Sequence, residues 1–154
     1  MEEPGIIEPT YTSVYRHGVD EKRRLQIPSK WRGPADQDQE FTMVLWPNGF
    51  EKDVCLTVFP TKVLQQMKSK LAEKPFNDPE ANALRRFIGE RADTATLDKA
   101  GRMCLPEQMA KAIGVEKEAV LVGMLDRFQI WNPKRHEESK QAVEALAAAG
   151  WLKF

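Results

Sequence analysis

The residues best suited to chemistry in this chain form two Asp-x-x-x-Arg segments, Asp20 to Arg24 and Asp98 to Arg102. An aspartate can anchor a turn by accepting backbone N–H groups. An arginine four places on offers a planar fork of donors that matches a phosphate or the paired acceptors of a guanine edge. Each segment lies in the frame apolar-Asp-x-x-x-Arg-apolar-x-apolar-Pro. The first copy is Val19-Asp20-Glu21-Lys22-Arg23-Arg24-Leu25-Gln26-Ile27-Pro28, and the second, 78 residues on, is Leu97-Asp98-Lys99-Ala100-Gly101-Arg102-Met103-Cys104-Leu105-Pro106.

Other chemistry finds little support. There is no Gly-rich phosphate loop, no HExxH, and no nucleophile with a base at a recognisable spacing. The chain is therefore expected not to be an enzyme, with no catalytic residues, no cofactor and no small-molecule substrate. Cys55 and Cys104 lack CxxC spacing and a His-rich neighbourhood, so no metal site is expected and reduced thiols are the default. Cys55 reads as core, while Cys104 alternates onto the face of Arg102. His17 could ligate a phosphate or act as a hydrogen-bonded structural residue, and His136 is expected on a helix surface.

Each Arg needs a hairpin to present it. In the second copy Asp98 suits the first position of a type I turn, and Gly101 suits the left-handed position closing a bulged hairpin. Arg23 replaces that glycine in the first copy, so the first turn is either strained, at about 1 kcal/mol, or differently shaped. Beyond each turn, alternation puts Leu25 and Ile27, or Met103 and Leu105, on the core face, with Arg24 and Gln26, or Arg102 and Cys104, opposite.

The duplication continues past the turns. A short polar segment and a Gly follow each Pro, then an apolar run (41–46 and 119–124), a second strand-like run (54–59 and 127–131), and a long charged helix entered through Pro60 or Pro133. Tandem look-alike units imply a pseudo-symmetric fold. A strand is expected over Thr12 to Arg16, a short helix over Pro106 to Gly114, and a single turn after Pro28. Helices over Pro60 to Lys74 (Leu64, Met67, Leu71) and Pro133 to Ala149 (Val143, Leu146, Ala147, with Asn132 as N-cap) should each pack a stripe on the sheet. Lys74 to Pro79 is the best boundary, and Pro79 to Arg91 reads as another amphipathic helix. The division is thus 1–74, a first repeat with an extended lead-in; 75–91, linker and helix; and 92–154, a second repeat with a C-terminal helix.

At 154 residues with zero net charge and pI 6.8, any nucleic-acid role must come from segregated charge. The stretch from Arg16 to Arg32 carries six Lys and Arg against Asp20 and Glu21, whereas Thr94 to Lys111 is nearly balanced. No run approaches a membrane span and the N-terminus lacks a signal-peptide layout, which leads to the expectation of a soluble intracellular protein without membrane association.

These residues resemble a family. Leu97 to Pro106, Val120-Leu121-Val122-Gly123 and Arg127-Phe128-x-Ile130-Trp131 are similar to the second repeat of the MraZ proteins, bacterial regulators of the division and cell-wall gene cluster. Tyr15-Arg16-His17 through Pro28 is similar to their first repeat, with Arg23 for the usual Gly and Trp31 for the usual Leu. The resemblance implies an α+β, mostly β fold of tandem swapped-hairpin, double-split β-barrel repeats with flanking helices, related to AbrB and MazE. It also implies a cytoplasmic, nucleoid-associated ring-like homo-oligomer, expected to be a transcriptional repressor, that binds short direct repeats of double-stranded DNA ahead of the division operon. By the same resemblance Asp20, Arg24, Asp98 and Arg102 are DNA-site residues. Lys22, Arg23 and Lys99 are expected on the phosphate backbone, and Gln26 either on an adenine or in solvent. The alternative is an antitoxin-like or scaffold module that binds a protein partner through the same fold.

Overall fold

The computed structural model describes residues 9–33, 39–48 and 51–154. Most of the lead-in lies outside the described residues. The first repeat supplies β1 (Val14–Gly18), β2 (Arg24–Gln26), a 3-10 turn (Ser29–Trp31), β3 (Glu40–Asn48), β4 (Glu51–Pro60) and α1 (Thr61–Ala72). The helix α2 (Pro79–Arg91) leads into β5 (Ala92–Thr96), β6 (Arg102–Cys104), α3 (Glu107–Ala112), β7 (Glu118–Gly123), β8 (Phe128–Trp131) and α4 (Pro133–Trp151). The result is a mixed α+β architecture with a strand-built core and helices outside.

Six strands form one antiparallel sheet in the order β1-β7-β8-β4-β3-β5, and β2 pairs with β6 in a separate two-stranded ribbon. The six-strand order maps onto itself when the repeats are exchanged, with the pseudo-dyad between β8 and β4. The first strand of each repeat pairs with the other repeat: β1 lies on β7 with Tyr15 opposite Leu121, and β5 lies on β3 with Ala95 opposite Phe41. The halves therefore share one core, since neither sheet half is complete without a strand from the other.

Period-two alternation sorts the side chains. Phe41 and Met43 of β3, Leu56 and Val58 of β4, and Leu121, Phe128 and Ile130 of β7 and β8 enter the main core. Leu25 and Ile27 meet Met103 and Leu105 there, all four fully buried, as the alternation predicts. Trp31 is also fully buried, edge-on to Tyr15 at 5.3 Å, and donates its indole N–H to the Thr12 carbonyl at 2.9 Å. The other face of β3 and β4 sets Val44 and Phe59 beneath α1 and α2. Cys55 is core beside Val120 and Trp131, and burial pushes its thiol pKa up to about 12, which leaves it protonated and unreactive.

Several boundaries follow local chemistry. The first strand starts at Val14, two residues later than expected, because Ser13 has a left-handed backbone (φ 78°). A glycine is required at position 123, where an added Cβ would stand 2.5 Å from the Tyr11 carbonyl oxygen of the crossing N-terminal segment. Asp78 and Asn132 cap α2 and α4 by accepting the N–H of Ala81 and Arg135.

The expectation for α4 is corrected. It meets the sheet at β7 but buries no residue, and Val143, Leu146 and Trp151 are exposed. Its repeat counterpart α1 buries Val63 and lines a groove with α2, whereas the apolar stripe of α4 stays exposed among the described residues. His136 is likewise not a plain surface residue: it is half-buried 6.2 Å from the Trp131 ring, and loss of solvent lowers its pKa, with Lys140 adding to the effect. Among the described residues no helix is long and apolar enough to cross a membrane.

Candidate nucleic-acid interface

The two turns adopt one backbone. Gly101 donates its N–H to the Asp98 carbonyl at 2.9 Å and sits at φ 79°; Arg23 donates to the Asp20 carbonyl at 2.9 Å and sits at φ 60°. Of the two alternatives for the first turn, the shared shape with a non-glycine in the left-handed region is the one realised. Arg23 offsets part of that cost by donating its Nε to the Leu105 carbonyl at 3.0 Å.

Each aspartate does the same three things. Its Oδ1 accepts two backbone N–H groups, from Lys22 and Arg24 in the first turn and from Ala100 and Arg102 in the second, all within 2.9 Å. Its Oδ2 accepts the arginine Nε, at 2.7 Å from Arg24 and 3.0 Å from Arg102. The backbone N–H of the arginine is the largest reason that both carboxyls titrate below the ordinary aspartate value, with the guanidinium adding to it. The aspartate thus fixes both the turn and the guanidinium stem. The terminal amino groups of both arginines have no protein partner among the described residues.

The structure adds what periodicity could not, because the two tips belong to one object. Strand β2 pairs with β6 so that Arg24 faces Cys104 and Gln26 faces Arg102, with a turn at each end of the ribbon. Arg24, Gln26, Arg102 and Cys104 share its outer face while Leu25 and Met103 anchor the inner one. The two arginine Cα atoms stand roughly 8 Å apart on strand geometry, diagonally across the ribbon. Reciprocal bonds fasten the ends: Ile27 N–H to the Gly101 carbonyl at 3.0 Å, and Leu105 N–H to the Arg23 carbonyl at 2.8 Å. The arginine side chains are equally exposed, 33% and 34%, so neither tip is withdrawn.

The other expected residues divide. Lys22 and Lys99 are exposed on the tips, whereas Arg23 turns back on the ribbon through its Nε. Gln26 donates to the Ala100 carbonyl at 2.9 Å, an engagement with the opposite tip that no single-repeat reading contains. Arg32, counted in the sequence only as part of the basic stretch, reaches the second turn. Its guanidinium lies against Gly101, so a Cβ there would have to displace the Arg32 side chain, while φ 79° is what favours glycine at that position. His17 stacks on Tyr15 at 6.3 Å on the edge strand β1. No cluster of three or more His, Cys, Asp or Glu suited to a metal occurs among the described residues.

A family model described as "MraZ protein, putative antitoxin-like" matches residues 89–149. A protein named transcriptional regulator MraZ from Pediococcus pentosaceus is 35% identical over 134 residues, covering 87% of this chain and 89% of the relative. The protein of that name from Desulfitobacterium hafniense is 35% identical over 140 residues, covering 90% and 93%. Its counterpart from Clostridium tetani is 32% identical over 132 residues, covering 86% and 88%.

Proposed function

Because the chain belongs to the MraZ family, we propose that it is a sequence-specific regulator that binds short direct repeats of double-stranded DNA upstream of the division and cell-wall operon. Its relatives are named transcriptional regulators, and the chain is a transcriptional regulator of that kind and not an enzyme. One observation carries the finer reading: two identically built Asp-turn-Arg units stand at the two ends of a single two-stranded ribbon. A β-ribbon of this width enters a major groove, where Arg24 and Arg102 would reach guanine edges or phosphates. Asp20 and Asp98 would hold them, and Lys22, Lys99 and the remaining donors of Arg23 would meet the DNA backbone.

The reciprocal strand exchange supports reading the fold as tandem swapped-hairpin repeats of a double-split barrel, divided near 74 and 92. One ribbon offers few phosphate contacts, and each adds only a salt-dependent increment. A ring of copies on repeated sites supplies the missing affinity through effective concentration, so oligomerisation belongs to the proposed mechanism, with the protein at the nucleoid. Repression is the proposed outcome.

The test is binding of purified protein to the upstream DNA at about 0.1 M salt. Arg24→Ala and Arg102→Ala should each weaken binding about 10- to 100-fold, the discrimination expected of a bidentate base contact. Unchanged affinity in both variants refutes the assignment. The exposed α4 favours a second reading as a protein-binding module, and retained capture of a partner by a variant that has lost DNA would support it.

A further inference from the structure

We infer that α4 of one copy docks in the groove between α1 and α2 of a second copy of this chain. The inference rests on the oligomeric reading above and names the contact that would build the oligomer.

The groove is apolar and open. It holds about 420 Å³ and is lined by Leu64, Met67 and Leu71 of α1 and Ile88 of α2, over Thr42 and Ala92 of the sheet. Gly89 leaves its α2 wall low, since an added Cβ there would meet nothing within 4 Å. The groove lies over β3 and β5, at the opposite end of the sheet from β7, where α4 is attached.

The occupant is argued from α4 itself. Val143, Leu146, Ala147, Gly150 and Trp151 follow i, i+3, i+4, i+7, i+8 spacing, the pattern of a helix laid in a groove. Leu146 is 74% and Trp151 79% exposed, and the tail beyond the stripe exposes Leu152 and Phe154. Together these side chains show on the order of 600 Å² of apolar surface, at the upper end of the largest patch on an ordinary monomer and approaching the roughly 800 Å² each partner gives a stable interface. The pseudo-symmetry points the same way: α1 lines a groove with α2, whereas the stripe of α4, its counterpart, is exposed among the described residues.

Charge agrees with the pairing. Lys68 and Arg85 line the groove, and α1 carries three lysines and no acid, while Glu144 is the one charged residue in the apolar half of α4, 141–151. Stripe and groove are different surfaces, so the contact is head-to-tail, and such contacts generate rings when their rotation closes.

The experiment measures mass in solution by light scattering at tens of micromolar protein. Wild type should be an oligomer. Trp151→Glu spoils the stripe on an exposed residue, and Gly89→Trp fills the groove, with Ala72→Trp serving if that variant misfolds. Each should raise the concentration needed for assembly by about 30-fold or more, the loss expected of an interface hot spot, and give single subunits with unchanged helical content and a melting point lowered only to that of the dissociated chain. A mixture of the stripe variant and the groove variant retains one sound interface per pair and should stop at dimers. A wild-type oligomer that either folded variant leaves intact overturns the docking and spares the oligomeric reading. Two monomeric variants that do not pair when mixed also overturn it. A wild type that is a single subunit throughout overturns both readings.

Discussion

Arg23 sets two comparable energies against each other. Its left-handed backbone costs about 1 kcal/mol, and the bond from its Nε to the Leu105 carbonyl returns about the same. Arg23→Gly removes both and should leave stability within about 1 kcal/mol of wild type, whereas Arg23→Ala keeps the strain and should lose about 1 kcal/mol; urea unfolding of the two variants checks the difference. Asp20 and Asp98 have depressed pKa values, so the stabilisation from their charged forms is fully present above the ordinary value of 3.8. It is lost as pH falls through the lower folded-state value. Because the backbone N–H of residue 102 is the leading cause, Arg102→Ala should leave the Asp98 carboxyl still titrating below 3.8 by NMR. A return to 3.8 would show that the guanidinium dominates instead. The Asp frame and Gly101 were readable from residue type. The uses of Arg23, Gln26 and Arg32 were not, because each depends on an atom about 70 to 80 residues away in the chain.

At the scale of elements, local signals located most of the structure. Proline entries, with an Asn cap for α4, placed α2, α3 and α4, and alternation gave the buried faces of β2 and β6 correctly. The start of β1 was misjudged because nothing in the residue type of Ser13 announces a positive φ. The burial of α4 was misjudged for a different reason: an amphipathic stripe says that a helix wants a partner, not that its own sheet provides one. Gly123 tests the close crossing of the N-terminal segment over β7. In Gly123→Ala the new methyl meets backbone atoms of Tyr11 and Thr12, which cannot rotate away, so a loss of about 1 to 3 kcal/mol is expected in denaturant unfolding. Tyr11 packs on Trp31 and Phe128, so near-ultraviolet dichroism of the variant should change as well.

For the whole molecule, exchanging strands turns a duplicated sequence into one folding unit with a single outward ribbon. On the proposed function each copy offers one DNA contact of fixed geometry, and the number of contacts is set by how many copies are joined. Affinity for DNA carrying one to four direct repeats should therefore climb steeply, by about 10-fold or more per added repeat until the ring is saturated. A flat series would remove multivalency from the mechanism.

From residue order alone came the duplication, the turn chemistry, the two Asp-x-x-x-Arg units and the family resemblance, all of which rest on local spacing and backbone preference. The pairing of β2 with β6, the crossing of β1 and β5 between repeats, and the exposure of α4 were decided only in three dimensions. Strand partners are chosen by complementarity between segments distant in the chain. A pattern of period two shows which face of a strand is apolar and leaves open the strand that will cover it.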